Sequence, residues 1–165
     1  METQAIHKDA ICHFLYASTL FVAGGDAVIQ TVLGSCVAVC MWDRALKIGG
    51  MNHYMLPYWD GKGLSSPKYG NVAIPRLTEK MLAAGSRREN LVAKVFGGAE
   101  LLNAGNSIFN IGKRNIEVGW ELLEEMKIPI VSHHVGGQHG RKIYFKAGEG
   151  LVQMKLLNSA SCNVA

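Results

Sequence analysis

Charge is scarce in this chain. Charged side chains make up 18% of the 165 residues, against 48% hydrophobic ones. That balance excludes a disordered polymer, which carries too little apolar surface to offset the entropy of ordering. A clustered basic face is also missing. The net charge is +4, and the 17 lysines and arginines are scattered, with Arg87-Arg88 and Lys113-Arg114 among the few adjacent pairs. Nucleic-acid binding needs such a face, so no nucleic-acid partner is expected. The mild positive charge would still favour encounter with an acidic protein. No run is long and apolar enough to span a membrane. No signal-peptide pattern opens the chain, where His7, Lys8, Asp9 and His13 interrupt any apolar stretch. A cytoplasmic protein, not inserted in a membrane, is expected. The four cysteines, Cys12, Cys36, Cys40 and Cys162, lack the paired spacing of a zinc site, and reduced thiols are the expectation. Repeats, low-complexity tracts and linkers are absent too, so the length fits one domain over residues 1–165.

What is present reads as strands in runs with two helices between them. Residues 28–33 are apolar and β-branched, Gly34-Ser35 breaks them, and residues 37–42 read as a second strand closed by the turn signal Asp43-Arg44. Residues 47–56 read as a third strand, ended by Pro57. Residues 58–68 are rich in glycine and form a surface loop. A helix is predicted over 71–84, with Ile74, Leu77 and Met81 at helical spacing, Pro75 in the first turn and Gly85 at the end. A strand over 91–96 halts at Gly97-Gly98. A second helix, over about 113–126, turns Ile116, Trp120 and Leu123 inward. Strands over 129–134, 142–146 and 151–157 follow. Such an order predicts an α+β fold: packed mixed sheets with the two main helices on an outer face.

The chemistry centres on Cys36. It stands directly after Gly34-Ser35, at a sharp bend between two strands. A nucleophile needs that position, because small neighbours leave room for a substrate carbonyl. The backbone N–H groups of Ser35 and Cys36 can then face the oxyanion that forms. A thiol of ordinary pKa is only slightly ionised at neutral pH and needs a base. His53 is the candidate. A hairpin through Asp43-Arg44 that pairs residues 38–42 with 47–51 brings His53, mid-strand, to the level of Cys36. An imidazolium there would depress the thiol's pKa. On spacing alone, such a pair is more often two core residues than a catalytic dyad.

A third group should accept the other ring N–H. Gln30 and Thr31, on the strand entering the bend, both carry an oxygen. By parity they project to opposite faces, so only one can serve. A regular strand gives Gln30 the parity of Cys36, whereas a bulge at Gly34 would bring in Thr31. Gln30 is slightly favoured. Trp59, in the glycine-rich loop, would line a groove for a helical substrate, with Asn52 beside it.

Other conspicuous residues have plainer readings. Cys40 is a small buried hydrophobe, and Cys12 and Cys162 lie near mobile ends. His133, His134 and His139 match no standard metal spacing. Trp42 and Trp120 are core residues.

Residues 31–39, Thr-Val-Leu-Gly-Ser-Cys-Val-Ala-Val, followed by residues 49–57, Gly-Gly-Met-Asn-His-Tyr-Met-Leu-Pro, resemble the signature of the chemoreceptor glutamine deamidase (CheD) family. Lys68-Tyr69-Gly70, residues 95–99 (Val-Phe-Gly-Gly-Ala), residues 111–115 (Ile-Gly-Lys-Arg-Asn), Gly136-Gly137 and Gly140-Arg141 extend the match in order, over about residues 14–157. The resemblance implies Cys36 as nucleophile, His53 as its histidine and no cofactor or metal. It implies a layered fold like that of deamidating bacterial toxins. The implied reaction is deamidation of glutamines on the helical cytoplasmic region of chemoreceptors, with glutamyl methyl esters open to the same chemistry. It also implies a chemotaxis phosphatase as a further partner in some members. An adaptor that docks to that phosphatase or to the receptor, with catalysis secondary, is the alternative reading. Two positions depart from the pattern. The threonine six before the cysteine is replaced by Gln30, while Thr31 is five before. His134 stands where an acidic residue is usual.

Overall fold

The computed structural model describes residues 11–100 and 110–158. The strands are β1 (Cys12–Phe14), β2 (Leu20–Gly24), β3 (Val28–Leu33), β4 (Val37–Asp43), β5 (Ile48–Asn52), β6 (Leu91–Gly97), β7 (Ile130–Val135), β8 (Arg141–Lys146) and β9 (Leu151–Leu156). The helices are α1 (Gly70–Ala83), between β5 and β6, and α2 (Ile111–Glu125), between β6 and β7.

Side-chain alternation along the strands explains how they layer. β4 is apolar from Val37 to Trp42 because both of its faces are covered. Val37, Val39 and Met41 point into one core, which they share with Ala73, Ile74 and Leu77 of α1 and Val118 and Leu123 of α2. Ala38 and Cys40 point the other way, into a second core with Ile29, Leu33, Ile143 and Phe145. β8 alternates instead: Ile143 and Phe145 are buried, while Lys142, Tyr144 and Lys146 are half-buried on the open side. β4 is therefore the middle strand of the middle layer.

Two sheets result. One has the order β2-β5-β4-β6-β7, antiparallel except for β6 with β7. The other has the order β1-β3-β8-β9, antiparallel except for β1 with β3. The helices lie on the five-stranded sheet, opposite the four-stranded one. This is the α+β arrangement of packed mixed sheets with outer helices that the sequence implies. Close approach between layers uses Gly49 and Gly50 of β5. A Cβ on Gly49 would lie 2.7 Å from the Phe145 ring, and one on Gly50 2.8 Å from Leu77.

Several local expectations shift. The third strand stops at Asn52 and not at residue 56, so His53 lies just past its end. β1 and β2, and a short 3₁₀ turn at Arg88–Asn90, are additional elements. α1 begins at Gly70, which puts Pro75 in its second turn. The buried face of α2 is centred on Asn115, Val118, Gly119 and Leu123, with Ile116 and Trp120 only partly covered. Among the described residues no helix is long and apolar enough to cross a membrane.

Candidate active site

The bend carrying Cys36 is where the chain leaves one sheet and enters the other: β3 belongs to the four-stranded sheet and β4 to the five-stranded one. Its three carbonyls are all engaged. Gly34 O accepts the Ala99 N–H at 3.0 Å, Ser35 O accepts Asn115 Nδ2 at 3.0 Å, and Cys36 O accepts the Gly98 N–H at 2.9 Å. In a trans peptide the N–H of one residue points opposite to the C=O of the residue before it. Anchoring Gly34 O and Ser35 O therefore turns the N–H groups of Ser35 and Cys36 away from the protein anchors. Neither N–H is taken up by a backbone bond among the described residues. That is the donor pair an oxyanion needs.

Gly97-Gly98 form the floor of this bend. Gly97 has φ +111°, and a Cβ there would land on the Cys36 carbonyl oxygen. Gly112 of α2 packs against the Gly98 carbonyl, where a Cβ would come within 2.5 Å. The two glycine motifs before and within α2 thus serve one purpose, the close approach of backbone to the Cys36 bend.

His53 comes to the same face by register. Val37 and Tyr54 exchange both backbone hydrogen bonds, at 3.0 and 2.9 Å, and β4 pairs with β5 so that Cys40 meets Met51. This sets His53 opposite Ala38, two residues from the expected pairing with Cys36. Cys36 and His53 are then diagonal neighbours on one face. Such a diagonal spans roughly 7–8 Å at the backbone and lies within reach of long side chains. The structure shows no hydrogen bond between the Cys36 thiol and the ring.

The ring is held from the other sheet. Thr31 Oγ1 lies 2.8 Å from His53 Nδ1 and 2.7 Å from Leu15 O. A hydroxyl has one proton, and the carbonyl of Leu15 can only accept. The Thr31 proton therefore goes to Leu15, and Thr31 accepts the Nδ1–H of His53. This assigns the tautomer: Nδ1 carries the proton and Nε2 is left bare, the form a general base requires.

The geometry sets Thr31, and not the slightly favoured Gln30, against His53. Gln30 is half-buried and points to the opposite side of β3 from Thr31, Ile29 and Leu33. The reason lies in topology. A parity count from Gln30 to Cys36 treats β3 and β4 as one strand, yet the chain changes sheets between them. No bulge is involved, because β3 pairs regularly with β8 from Val28↔Lys146 to Leu33↔Arg141.

Burial sets the resting charges. It pulls the His53 imidazole down to about 4. It pushes the Cys36 thiol up, opposed by that residue's own backbone N–H. Both directions are the reverse of an imidazolium lowering the thiol, the expectation from residue types alone. His53 is 5% exposed and Thr31 is fully buried, so desolvation outweighs pairing. At neutral pH the two groups rest as thiol and neutral imidazole.

The remaining candidates fall elsewhere. Asn52 is fully buried, and its Oδ1 accepts the Val39 N–H at 2.8 Å, so it does not line a groove. Trp59 is half-buried in its loop, its indole N–H donated to Lys62 O at 2.9 Å. Cys40 is buried, with its thiol pushed far up by desolvation, and Cys12 is exposed. Cys162 and His7 lie outside the described residues. Among the described residues no three His, Cys, Asp or Glu side chains converge to hold a metal ion.

Two supporting residues escape sequence reasoning. Asn115 anchors Ser35, and its signal is a polar residue on the buried side of a helix. Arg141, 2% exposed, donates through Nη1 to Gly97 O at 3.0 Å, through Nη2 to Gly136 O, and through Nε to His134 Nδ1 at 2.9 Å. His134, standing where the resemblance has an acid, thus supplies the acceptor a carboxylate would supply, without its charge.

Comparison with known proteins identifies the family. A family model described as CheD chemotactic sensory transduction matches residues 55–156. A protein of Trichlorobacter lovleyi is 51% identical over 140 residues, covering 85% of this chain and 87% of the relative. One of Sulfurimonas denitrificans is 49% identical over 144 residues, covering 86% and 92%. Both are named probable chemoreceptor glutamine deamidase CheD. Among solved structures, the chain is similar to the Bacillus licheniformis hypothetical protein YfiH, at 14% identity and a TM-score of 0.46 over 80% of this chain and 60% of that one. On the family match and on the identity shared along most of the chain, this protein belongs to the CheD family.

Proposed function

We propose that the protein deamidates glutamine side chains of chemoreceptors in the cytoplasm, with Cys36 as nucleophile, His53 as base and Thr31 as the group that orients the base. The observation that carries this reading is the Leu15–Thr31–His53 relay. It leaves a bare Nε2 on the face that Cys36 shares, beside a bend whose N–H groups are unclaimed by backbone bonds.

Cys36 Sγ attacks the carboxamide carbon as its proton passes to His53 Nε2. Because both groups rest neutral, proton transfer accompanies attack; no stored ion pair precedes it. The Ser35 and Cys36 N–H groups receive the oxyanion. As the tetrahedral intermediate collapses, the C–N bond breaks and the imidazolium returns the proton to the leaving nitrogen, releasing ammonia. Water, deprotonated by His53, then cleaves the thioester to give glutamate and restores the thiol. A glutamyl methyl ester would enter the same acyl-enzyme with methanol as the leaving group.

The test is mass spectrometry of a receptor cytoplasmic fragment after incubation with the protein. Wild type is expected to convert specific glutamines to glutamates. Cys36→Ala, folded by circular dichroism, should convert none. Conversion by that variant at the wild-type rate would remove Cys36 from the mechanism.

A further inference from the structure

Asn115 is fully buried, yet neither hydrogen bond its side chain donates serves its own helix. Nδ2 donates to Ser35 O at 3.0 Å and to Met55 O at 2.9 Å. Ser35 immediately precedes the nucleophile, and Met55 lies two residues beyond the base. One amide therefore bridges the two segments that must be held in register for the chemistry. The Asn115 backbone carbonyl accepts the Tyr54 hydroxyl at 2.6 Å, a second tie to the segment carrying His53. Gly119, one turn further along α2, leaves room for that hydroxyl; a Cβ there would lie 3.0 Å from it. Among the described residues Asn115 Oδ1, by contrast, is buried without a hydrogen-bond partner. An apolar side chain would avoid that desolvation cost. The two N–H bonds of the side chain offset the cost of its unpaired Oδ1.

We propose that Asn115 is a positioning residue for the acyl transfer. Its bond to Ser35 O aims the Cys36 N–H at the oxyanion and polarises that peptide, making the N–H a better donor. Its bond to Met55 O fixes the same peptide relative to His53. The inference rests on Cys36 being the nucleophile, and its test needs no receptor.

Acylation of Cys36 by p-nitrophenyl acetate passes through an oxyanion; alkylation of the same thiol by iodoacetamide does not. Asn115→Asp keeps the side-chain shape without the donors, Asn115→Ala removes the side chain, and Asn115→Ser is the milder change. In Asn115→Asp and Asn115→Ala the acylation rate constant should fall about 10- to 100-fold. Alkylation near pH 9, where thiolate is available, should stay within about twofold. Asn115→Ser should give an intermediate ratio of the two rates. On a receptor fragment, kcat should fall in parallel with acylation while KM holds within about twofold. Equal loss of acylation and alkylation would make Asn115 merely structural, and unchanged acylation in a folded variant would remove the role outright. A wild type that acylates normally but releases no ammonia from receptors would overturn the proposed substrate and leave the Asn115 assignment standing.

Discussion

Two glycine-bearing segments flank the histidine, and they are built oppositely. In the bend at residues 34–36 every carbonyl is bound by a distant part of the chain: Ala99, Asn115 and Gly98. The loop at residues 58–68 is tied at its two ends and braced only locally between them. Trp59 Nε1 donates to Lys62 O, the Lys62 N–H to Asp60 Oδ1, and the Lys68 N–H to Ser66 Oγ. Its outward ties gather at its two ends: Tyr58 to Glu121 and Trp59 to Asn71 at one, and at the other Arg76 to Ser65 and the Met55 and Leu56 N–H groups to Lys68 O. Leu64 at its tip is 95% exposed. Both segments look alike in sequence, as turns rich in small residues. Their difference is one of preorganisation. The bend, fixed by the turn after β6 and by α2, presents N–H groups at no reorganisation cost during reaction. The loop leaves its tip, around Leu64, to solvent.

The sharpest way to break this comparison is to place the same methyl in both. Gly97 and Gly63 have φ of +111° and +71°, so alanine is strained at each. Only at Gly97 would the new Cβ strike the backbone of the nucleophile bend; at Gly63 nothing lies within 4 Å. Gly97→Ala should lower kcat about 100-fold or more through misplacement of the Cys36 peptide. Gly63→Ala should cost about 1–2 kcal/mol of loop strain and leave kcat within about twofold. Steady-state kinetics with thermal melts measure both. Equal kcat values would mean the bend is not preorganised.

A smaller effect separates neighbours on β3. Thr31→Val keeps the volume and removes the acceptor for His53 Nδ1–H, and kcat should drop about tenfold, the worth of one buried neutral hydrogen bond. Gln30→Ala, on the other face, should stay within about twofold. If Gln30→Ala is the more damaged, the relay from Leu15 to His53 is not the working one.

The layers, the helices and most strands were legible because each follows from local pattern. A β4 apolar over its first six residues belongs between two cores, and an alternating β8 at a wet face. β1 and β2 were not legible: residues 12–14 are exposed or half-buried and residues 20–24 are half-buried, so neither has a clean alternation. The candidate pair Cys36 and His53 could be singled out from a small-residue bend, a following hairpin and the family resemblance, not from spacing alone. Its third partner could not, since choosing between Gln30 and Thr31 requires knowing that the chain changes sheets at Gly34–Cys36. The resting charges were hidden for a similar reason. Residue types suggest an ion pair, and only burial by both sheets reverses it. Asn115 lies 79 residues from Cys36 in the chain, a separation no local window spans.

The most direct measurement is to catch the bond itself. A glutamine-containing receptor peptide is mixed with the protein, quenched in acid within a turnover, and the digest is mapped by mass. The account predicts a peptide adduct on Cys36, lighter than the free peptide by one ammonia and discharged by hydroxylamine, with no adduct on Cys12 or Cys40. Ammonia release with an unmodified Cys36 throughout the first turnover would contradict it.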